Sequence, residues 1–290
     1  MPESPTCWIC GGLSWRLFKE STLAGRISSD DFKITDARYG HTGQIDQCLS
    51  CGFKQVTDVD SVLKFYESLE DNAYDQGREQ RGLQARKIVE ALKRHKSSGR
   101  LLDVGAASGI LLEQATKLGF TGEGVEPSRS LAKSAQDAGL KVHLGTFPHP
   151  QIQGAYDAIT LIDVIEHVPC PIQLLKDIAA HLKPDGVGAL TTPDVESFVA
   201  RRLGPRWWHF RVAHIGYFSP KTIQRALDAA GLEIVERTSP AWYFTYDYAC
   251  ERAMVYAPKF LRFRMPLFLR ERTIKVNFQD SMQVVFRRKK

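Results

Sequence analysis

An apolar segment that ends in an acid and runs into a glycine-containing turn constrains the fold of this 290-residue chain most strongly. The segment Leu101–Val104 contains Asp103, and Gly105 and Gly109 follow it before a helical pattern begins. A second apolar strand ends in Glu126, 21 residues beyond the first glycine. This is the first strand–helix–strand unit of a doubly wound sheet, where ligands bind at the carboxyl ends of the strands. Glycines let the backbone approach a ligand closely, and Glu126 would accept hydrogen bonds from ribose hydroxyls, so the pattern predicts a nucleoside site.

The spacing of this turn departs from the dinucleotide-binding fingerprint, in which G-x-G-x-x-G cradles a pyrophosphate. Here three residues separate Gly105 from Gly109, Ala107 lies between them, and Asp103 stands two residues before the first glycine. A carboxylate would repel a pyrophosphate but suits a ligand that carries an ammonium group and a sulfonium. The chain resembles the class I S-adenosylmethionine-dependent methyltransferases, whose first motif is an acid followed by G-x-G-x-G, with Ala107 in place of the middle glycine.

The resemblance extends over roughly residues 58 to 290. Tyr156–Pro169 is similar to the family's fourth strand and the substrate-facing turn after it, and Ser281–Arg287 to its last, antiparallel strand. Between them we predict a helix over Ile172–Leu182 that Gly186 ends, then a fifth strand over Val187–Pro193. The expected fold is α/β, a doubly wound Rossmann-like seven-stranded methyltransferase sheet with a small N-terminal zinc ribbon. The resemblance implies cofactor contacts at the following residues: Asp103, Gly105, Ala107, Gly109, Glu126, Thr146, Asp163 and Tyr74, with Tyr66 as a second aromatic candidate.

Four of the six cysteines form two C-x-x-C-G knuckles, Cys7–Gly11 and Cys48–Gly52, separated by 37 residues. The two-residue spacer lets both thiolates of a knuckle reach one Zn²⁺. Disulfides or unligated thiols are the alternative, which a reducing cytoplasm disfavours. We predict a structural zinc held by Cys7, Cys10, Cys48 and Cys51, and ordinary buried thiols at Cys170 and Cys250.

We divide the chain into three predicted regions. Residues 1–57 form the zinc-binding module, 58–95 a helical cap or linker, and 96–290 the methyltransferase domain. Residues 241–275 are predicted to be a basic and aromatic insertion before the last strand.

The acceptor side is predicted to contain four catalytic candidates, Asp163, Glu166, His167 and His214. In two branches of the family, the small-RNA 2′-O-methyltransferases and the quinone-biosynthesis O-methyltransferases, a similar acid-x-x-Glu-His cluster and a later histidine bind a divalent metal. Here Asp163 replaces the first glutamate. Three interpretations stay open: a catalytic metal site, a metal-free site with His167 as general base, or a polar turn that only shapes the pocket.

Charge gives a second indication of the substrate. Residues 252–290 contain eleven Lys or Arg against Glu271 and Asp280, a net charge of +9 in a chain whose total is +6. A basic segment with interleaved apolar residues could contact an anionic membrane through 255–275, grip a phosphate-bearing substrate, or pack as a lid. A second basic and aromatic stretch, Arg201–Arg211, could either recognise the acceptor or seal the core.

The resemblance implies an S-adenosylmethionine-dependent methyltransferase, and we expect it to act on an oxygen of a small or lipid-linked metabolite. No run of 18 apolar residues and no signal-peptide pattern occurs in the sequence, so we expect a cytoplasmic protein, at most peripheral at the inner membrane face. A sugar C-methyltransferase and an RNA methyltransferase are alternatives, although a nucleic-acid partner is not expected. An alternative from another class is a catalytically silent scaffold protein that binds the cofactor. The oligomeric state is not predicted.

Overall fold

The computed structural model describes residues 5–23, 29–32, 39–57, 65, 67–69, 74–256 and 265–290. The strands in these ranges are, in chain order, β1 (Trp15–Lys19), β2 (Ile45–Cys48), β3 (Lys54–Val56), β4 (Gly99–Val104), β5 (Phe120–Glu126), β6 (Val142–Leu144), β7 (Tyr156–Ile162), β8 (Leu182–Pro193), β9 (Gly216–Tyr217), β10 (Leu232–Thr238), β11 (Trp242–Thr245), β12 (Thr273–Val276) and β13 (Ser281–Arg288). The helices are α1 (Arg78–Lys93), α2 (Ile110–Lys117), α3 (Arg129–Asp137), α4 (Pro171–His181), α5 (Phe198–Leu203), α6 (Pro220–Ala229), α7 (Tyr246–Met254) and α8 (Leu267–Arg270).

Seven strands form the main sheet in the order β10-β13-β8-β7-β4-β5-β6. Neighbours from β8 to β6 are parallel, and β13 pairs antiparallel with both β8 and β10. The strands at the centre are buried over most of their length because helices cover both faces of a doubly wound sheet. The predicted fold class is confirmed, including the antiparallel last strand.

Local signals place most helix ends correctly, with one exception. Ser219 caps α6 through a capping box with Thr222, as the Ser-Pro pair predicts. The prediction that Gly186 ends the preceding helix is wrong, because α4 ends at His181 and β8 already begins at Leu182. A side chain at position 186 would place its Cβ 2.9 Å from the Tyr156 carbonyl oxygen, so this glycine permits close contact between strands.

A second sheet has the order β1-β2-β3-β9 and is antiparallel throughout. Its first three strands come from the predicted zinc module, whereas β9 comes from the region after His214. Strands β11 and β12, within residues 241–275, form a separate two-stranded sheet. The module therefore shares a sheet with the main part of the chain. Among the described residues, no helix is both long enough and apolar enough to cross a membrane.

Candidate cofactor and acceptor site

The turn after β4 is held in an uncommon backbone conformation. Gly105 and Gly109 have φ values of +78° and +79°, and Ala107 has a φ of +46°. A Cβ at position 109 would lie 2.3 Å from Leu140 Cδ1, and one at position 105 would lie 2.6 Å from Val164 Cγ2. Both positions therefore require glycine for their dihedral angle and for space. Ala107 adopts the left-handed region although it is not a glycine, which is uncommon and is found at single positions rather than in runs.

Two buried carboxylates lie at this end of the sheet. Glu126 accepts hydrogen bonds from the backbone N–H of Ala107 and of Ser128, both at 2.8 Å. Asp103 accepts a hydrogen bond of 2.6 Å from the Thr160 hydroxyl. Burial raises the pKa of each to about 7, against the hydrogen bonds that stabilise the charged forms. A cationic ligand with ribose hydroxyls fits these groups, since a carboxylate offers about four lone-pair positions and only some are used.

Residues that the sequence argument missed cover the glycine turn. Asp75 accepts hydrogen bonds from Ser108 at 2.7 Å and from Ser134 at 3.3 Å, and it pairs with Arg78 at 3.0 Å. Arg78 also donates to Ser108 and pairs with Glu113 on α2. The segment before α1 is thus hydrogen-bonded to the turn. A signal was available, because Asp75 and Arg78 lie within residues 58–95, the region predicted to be a helical cap or linker.

Three further cofactor candidates are less well defined by the structure. Thr146 is exposed just beyond β6, where the preceding Gly145 N–H donates to the Glu126 carbonyl at 2.9 Å. Tyr74 begins a 3₁₀ turn, Tyr74–Gly77, but its side chain lies outside the described part of the chain. Tyr66 lies outside the described residues altogether.

Glu166, His167 and His214 come together beyond β7, and we call them the acceptor trio. One ligand atom from each lies within 4.8 Å of the others. Glu166 and His167 share a 3₁₀ turn, Ile165–His167, and His214 reaches it because the Ile215 N–H donates to the Glu166 carbonyl at 2.9 Å. The His167 and His214 rings meet edge to face at 4.8 Å between centroids. A carboxylate and two imidazoles at such distances form a donor set that suits a divalent metal.

Several polar side-chain atoms of Glu166 and His214 have no hydrogen-bond partner in the described part of the chain. Both Glu166 carboxylate oxygens and His214 Nδ1 are buried without a hydrogen-bond partner among the described residues. His167 Nδ1 lies 2.7 Å from the Ala213 carbonyl oxygen, so Nδ1 carries the proton and Nε2 the lone pair. Buried polar groups without partners are rare and indicate a ligand or an ion.

Burial dominates the protonation of the trio. It raises the pKa of Glu166 well above its ordinary range, with Asp163 adding to the effect. It lowers the pKa of His167 to about 4 and that of His214 well below the usual histidine value. Both imidazoles are therefore neutral at pH 7, which is the form that ligates metals or accepts a hydrogen bond.

Asp163, the fourth catalytic candidate, does not join the trio. It has a φ of +54° and accepts a hydrogen bond of 2.7 Å from the Thr191 hydroxyl on β8. Burial raises its pKa. The structure thus places Asp163 directly after β7, with its carboxylate bonded to the neighbouring strand β8.

The four cysteines of the knuckles cluster as predicted. Cys7 Sγ lies 3.5 Å from Cys51 Sγ, Cys10 Sγ lies 3.6 Å from Cys48 Sγ, and all four sulfurs fall within 4.8 Å of one another. Four sulfurs at 2.3 Å from a tetrahedral zinc would be roughly 3.8 Å apart, so the donor set fits this ion. The prediction that Cys170 is buried is wrong, since it is exposed at the start of α4, whereas Cys250 is buried.

The basic and aromatic stretch divides between core and surface. Trp207 and Phe210 are buried, and Trp207 Nε1 donates to Asp280 at 3.2 Å. Trp208 is only partly buried and contacts Phe278 at 5.1 Å between ring centroids. In the segment 255–275, residues 257–264 lie outside the described chain, and the predicted membrane contact there stays a prediction.

A family model described as a methyltransferase domain matches residues 76–237, more than half of the chain. The chain belongs to this methyltransferase family. It is similar to the ubiquinone biosynthesis O-methyltransferase of Nitrobacter winogradskyi, with 31% identity over 152 residues that cover 48% of this chain and 58% of that protein. The corresponding protein of Bordetella bronchiseptica is 29% identical over 155 residues, which cover 47% of this chain and 63% of the relative. The matches span less than two thirds of these relatives' length.

Solved methyltransferases share the fold of this one. One was solved as a complex with the Trm112 methyltransferase activator of Haloferax volcanii, and it aligns with a TM-score of 0.56, 19% identity, and coverage of 75% of this chain and 94% of that one. An S-adenosylmethionine-dependent methyltransferase from Clostridium acetobutylicum aligns with a TM-score of 0.50, 13% identity, and coverage of 75% and 96%. The predictions of a methyltransferase and of an N-terminal four-cysteine cluster are confirmed.

Proposed function

We propose that this methyltransferase transfers a methyl group from S-adenosylmethionine to a hydroxyl oxygen of a small or lipid-linked metabolite. The acceptor trio carries the proposal, because it combines one buried carboxylate with two neutral imidazoles beside the cofactor turn. The names of the similar proteins, ubiquinone biosynthesis O-methyltransferases, support an oxygen acceptor on a lipid-linked molecule. The knuckle cysteines hold a structural zinc in this proposal, since four thiolates leave no open coordination position.

The reaction is an in-line displacement in which the carbon–sulfur bond breaks as the carbon–oxygen bond forms. The electron pair stays on sulfur and leaves it neutral, and the acceptor hydroxyl releases its proton to water. Alignment of oxygen, methyl and sulfur supplies much of the rate. The glycine turn and the trio follow β4 and β7, which are neighbours in the sheet. Donor and acceptor therefore meet at one edge.

In this proposal the trio holds a divalent cation through Glu166, His167 Nε2 and His214 Nδ1. Such a cation, when bound, would acidify the acceptor hydroxyl. The protein's own contribution is orientation. The Ala213 carbonyl sets the His167 ring through Nδ1, and the Ile215 N–H ties the His214 segment to Glu166.

The first test offers methyl-labelled S-adenosylmethionine to the purified protein with a bacterial extract supplemented with Mg²⁺, Mn²⁺ or Zn²⁺, followed by separation of lipid, nucleic-acid and small polar fractions. We expect label in the lipid or small polar fraction. Glu166→Gln and His214→Ala should reduce transfer by about 100-fold or more, because each removes a donor from the trio. His181→Ala is the matched control, since His181 lies on α4 and bonds the Asp177 carbonyl, outside the trio.

Other outcomes of this test contradict the proposal in distinct ways. Label in the nucleic-acid fraction would indicate an RNA methyltransferase instead. Label in a polar fraction that resists cleavage of methyl ethers and esters would indicate methylation at carbon. Equal transfer by the wild type and both trio variants would remove the trio from catalysis. No transfer, with cofactor binding shown by calorimetry, would favour the silent scaffold.

A further inference from the structure

Two strands from distant parts of the chain pair at the boundary between the cysteine knuckles and the acceptor trio. β3 follows the second knuckle, and β9 follows His214. They are antiparallel, with Lys54 opposite Tyr217 and Gln55 opposite Gly216. The pairing extends one residue further, because the Val56 N–H donates to the Ile215 carbonyl at 2.8 Å.

Both backbone polar groups of Ile215 form hydrogen bonds. Its carbonyl accepts from Val56 of the module, and its N–H donates to the Glu166 carbonyl of the trio at 2.9 Å. His214 precedes it directly, and Ile215 is itself buried. A displacement of β3 would therefore move the backbone that carries one trio histidine relative to the turn that carries Glu166.

Gln55 connects β3 to the first knuckle. Its side chain is 1% exposed. Its Oε1 accepts from the Trp8 N–H at 3.1 Å and its Nε2 donates to the Thr6 carbonyl at 3.2 Å. Thr6 and Trp8 flank Cys7, so both ends of this amide hold the knuckle against the strand that pairs with β9.

Aromatic packing reinforces the same contact. The Phe53 ring lies 5.0 Å from that of Phe218 and 6.3 Å from that of Trp8. A Cβ at Gly216 would lie 3.2 Å from Phe53 Cζ, so β9 approaches the module closely. Cys7, Cys48 and Phe53 belong to one apolar cluster with Ile165 and Phe218, the residues next to the trio segments.

The carboxylates at the cofactor end are held by a different set of hydrogen bonds. Asp103 and Glu126 bond to Thr160, Ala107 and Ser128, which lie on the main sheet or in the loops at its edge. Among the hydrogen bonds that the described chain makes to these two carboxylates, none comes from the cysteine module. The module should thus affect the acceptor side without affecting the cofactor side.

We propose that the four-cysteine module is a structural part of the acceptor site, and that Gln55 is the positioning residue that holds β9, and with it His214, in place against Glu166. The kinetic part of the test below depends on the proposed function, because it measures transfer to the acceptor. The loss of a well-satisfied buried amide should shift β9 rather than remove a reacting group, because the Gln55 side chain bonds, among the described residues, only to the backbone of Thr6 and Trp8.

The experiment compares Gln55→Ala with Gln47→Ala in the zinc-loaded protein. Gln47 lies one strand away on β2 and bonds Arg16 and the Gly52 carbonyl, so it controls for loss of a glutamine within the module. We expect Gln55→Ala to keep one zinc per chain and its S-adenosylhomocysteine affinity within about twofold. Its kcat/KM for the acceptor should fall about tenfold or more, and the imidazole resonances of His167 and His214 should shift in ¹H–¹⁵N spectra, with Gln47→Ala close to wild type.

The imidazole spectra need no acceptor, so they decide the inference even if the proposed function fails. Unchanged resonances in Gln55→Ala, or an equal loss of cofactor affinity, would overturn it. Gly216→Ala provides a second route if Gln55→Ala does not fold, because the added methyl pushes β9 from the Phe53 side. It should move the same histidine resonances, and an unchanged spectrum there would also overturn the inference.

Discussion

Asp103 and Glu126 are buried acids whose charge the protein leaves uncompensated. Among the described residues neither forms an ion pair, and the nearby Glu126 charge raises the pKa of Asp103 further. Their hydrogen bonds only partly offset the loss of water, so burial raises the pKa of each to about 7. A ligand with an ammonium group and a sulfonium would supply the missing positive charge. The site therefore favours a cationic cofactor on electrostatic grounds.

Cofactor affinity should therefore depend on pH near neutrality. Both acids bind protons in the cofactor-free folded protein up to about pH 7 but lose them near pH 4 when unfolded, so stability without cofactor falls as pH rises from 4 to 7. A cationic cofactor favours the ionised acids, and its affinity should rise between pH 6 and pH 8 by about tenfold for each acid that ionises on binding, with proton release. Calorimetry in two buffers of different ionisation enthalpy measures both.

Asp103→Asn tests the assignment of this pH dependence. The amide keeps an acceptor for Thr160 but cannot ionise, so affinity should be weaker and the slope with pH smaller. Asp157→Asn is the control, because Asp157 lies at the opposite end of the sheet and pairs with Lys96 and Lys183. An affinity that is flat from pH 6 to pH 8 in the wild type would contradict the prediction.

The turn between β4 and α2 shows how one element combines backbone strain with close packing. Gly109 has a positive φ and its missing Cβ leaves room for Leu140 and Ala135. Gly119, at the other end of α2, also has a positive φ, +94°, but nothing lies within 4 Å of its missing Cβ. A comparison of the two glycines therefore separates the requirement for a positive φ from the requirement for space at the missing Cβ.

Alanine at these two positions should have unequal effects. Gly119→Ala should cost about 1 kcal/mol of unfolding free energy, since only the left-handed conformation is penalised. Gly109→Ala should cost about 2 to 4 kcal/mol, because a methyl group must also displace Leu140. It should weaken cofactor binding as well, while Gly119→Ala leaves binding unchanged. Urea unfolding and calorimetry provide the measurements, and equal losses for the two variants would contradict the packing argument.

At the scale of the whole molecule, the cysteine module and the main sheet share one core. The apolar cluster that contains Cys7 and Phe53 also contains Leu102 of β4 and Phe286 of β13. Strand β9 continues this connection through backbone hydrogen bonds. The module is therefore packed into the main core, and its unfolding should lower the stability of the main sheet.

If the knuckles hold the proposed zinc, its removal should lower the unfolding temperature of the main transition. Cys48→Ser removes one thiolate from the cluster, and a loss of about 3 kcal/mol would lower the midpoint by roughly 6 °C or more. Cys170→Ser, at an exposed thiol outside the cluster, should leave the midpoint unchanged. Scanning calorimetry with a zinc assay tests this. A separate transition for the module, with the main one unmoved, would contradict the shared core.

Local motifs predicted those parts of the candidate site whose residues are close together in the sequence. The acid before the glycine turn, Glu126 at the end of the next strand, the Glu166–His167 pair and both knuckles can all be recognised as short patterns in the sequence. The glycine at 186 misled the same reasoning, because a C-cap glycine and a strand glycine look alike without the neighbouring carbonyl that crowds it. Asp163 was grouped with the trio by spacing, yet its hydrogen bond to Thr191 depends on the adjacent strand.

The sequence by itself determined the fold class, the cofactor turn and the four-cysteine cluster, because each follows from residue types at fixed short separations. Only the tertiary structure decided which side chains meet across long separations. His214 reaches Glu166 through the Ile215 backbone, and Gln55 reaches the same strand from the other end of the chain. Such contacts depend on strand pairing and on the burial that shifts pKa values, and neither is a property of a local pattern.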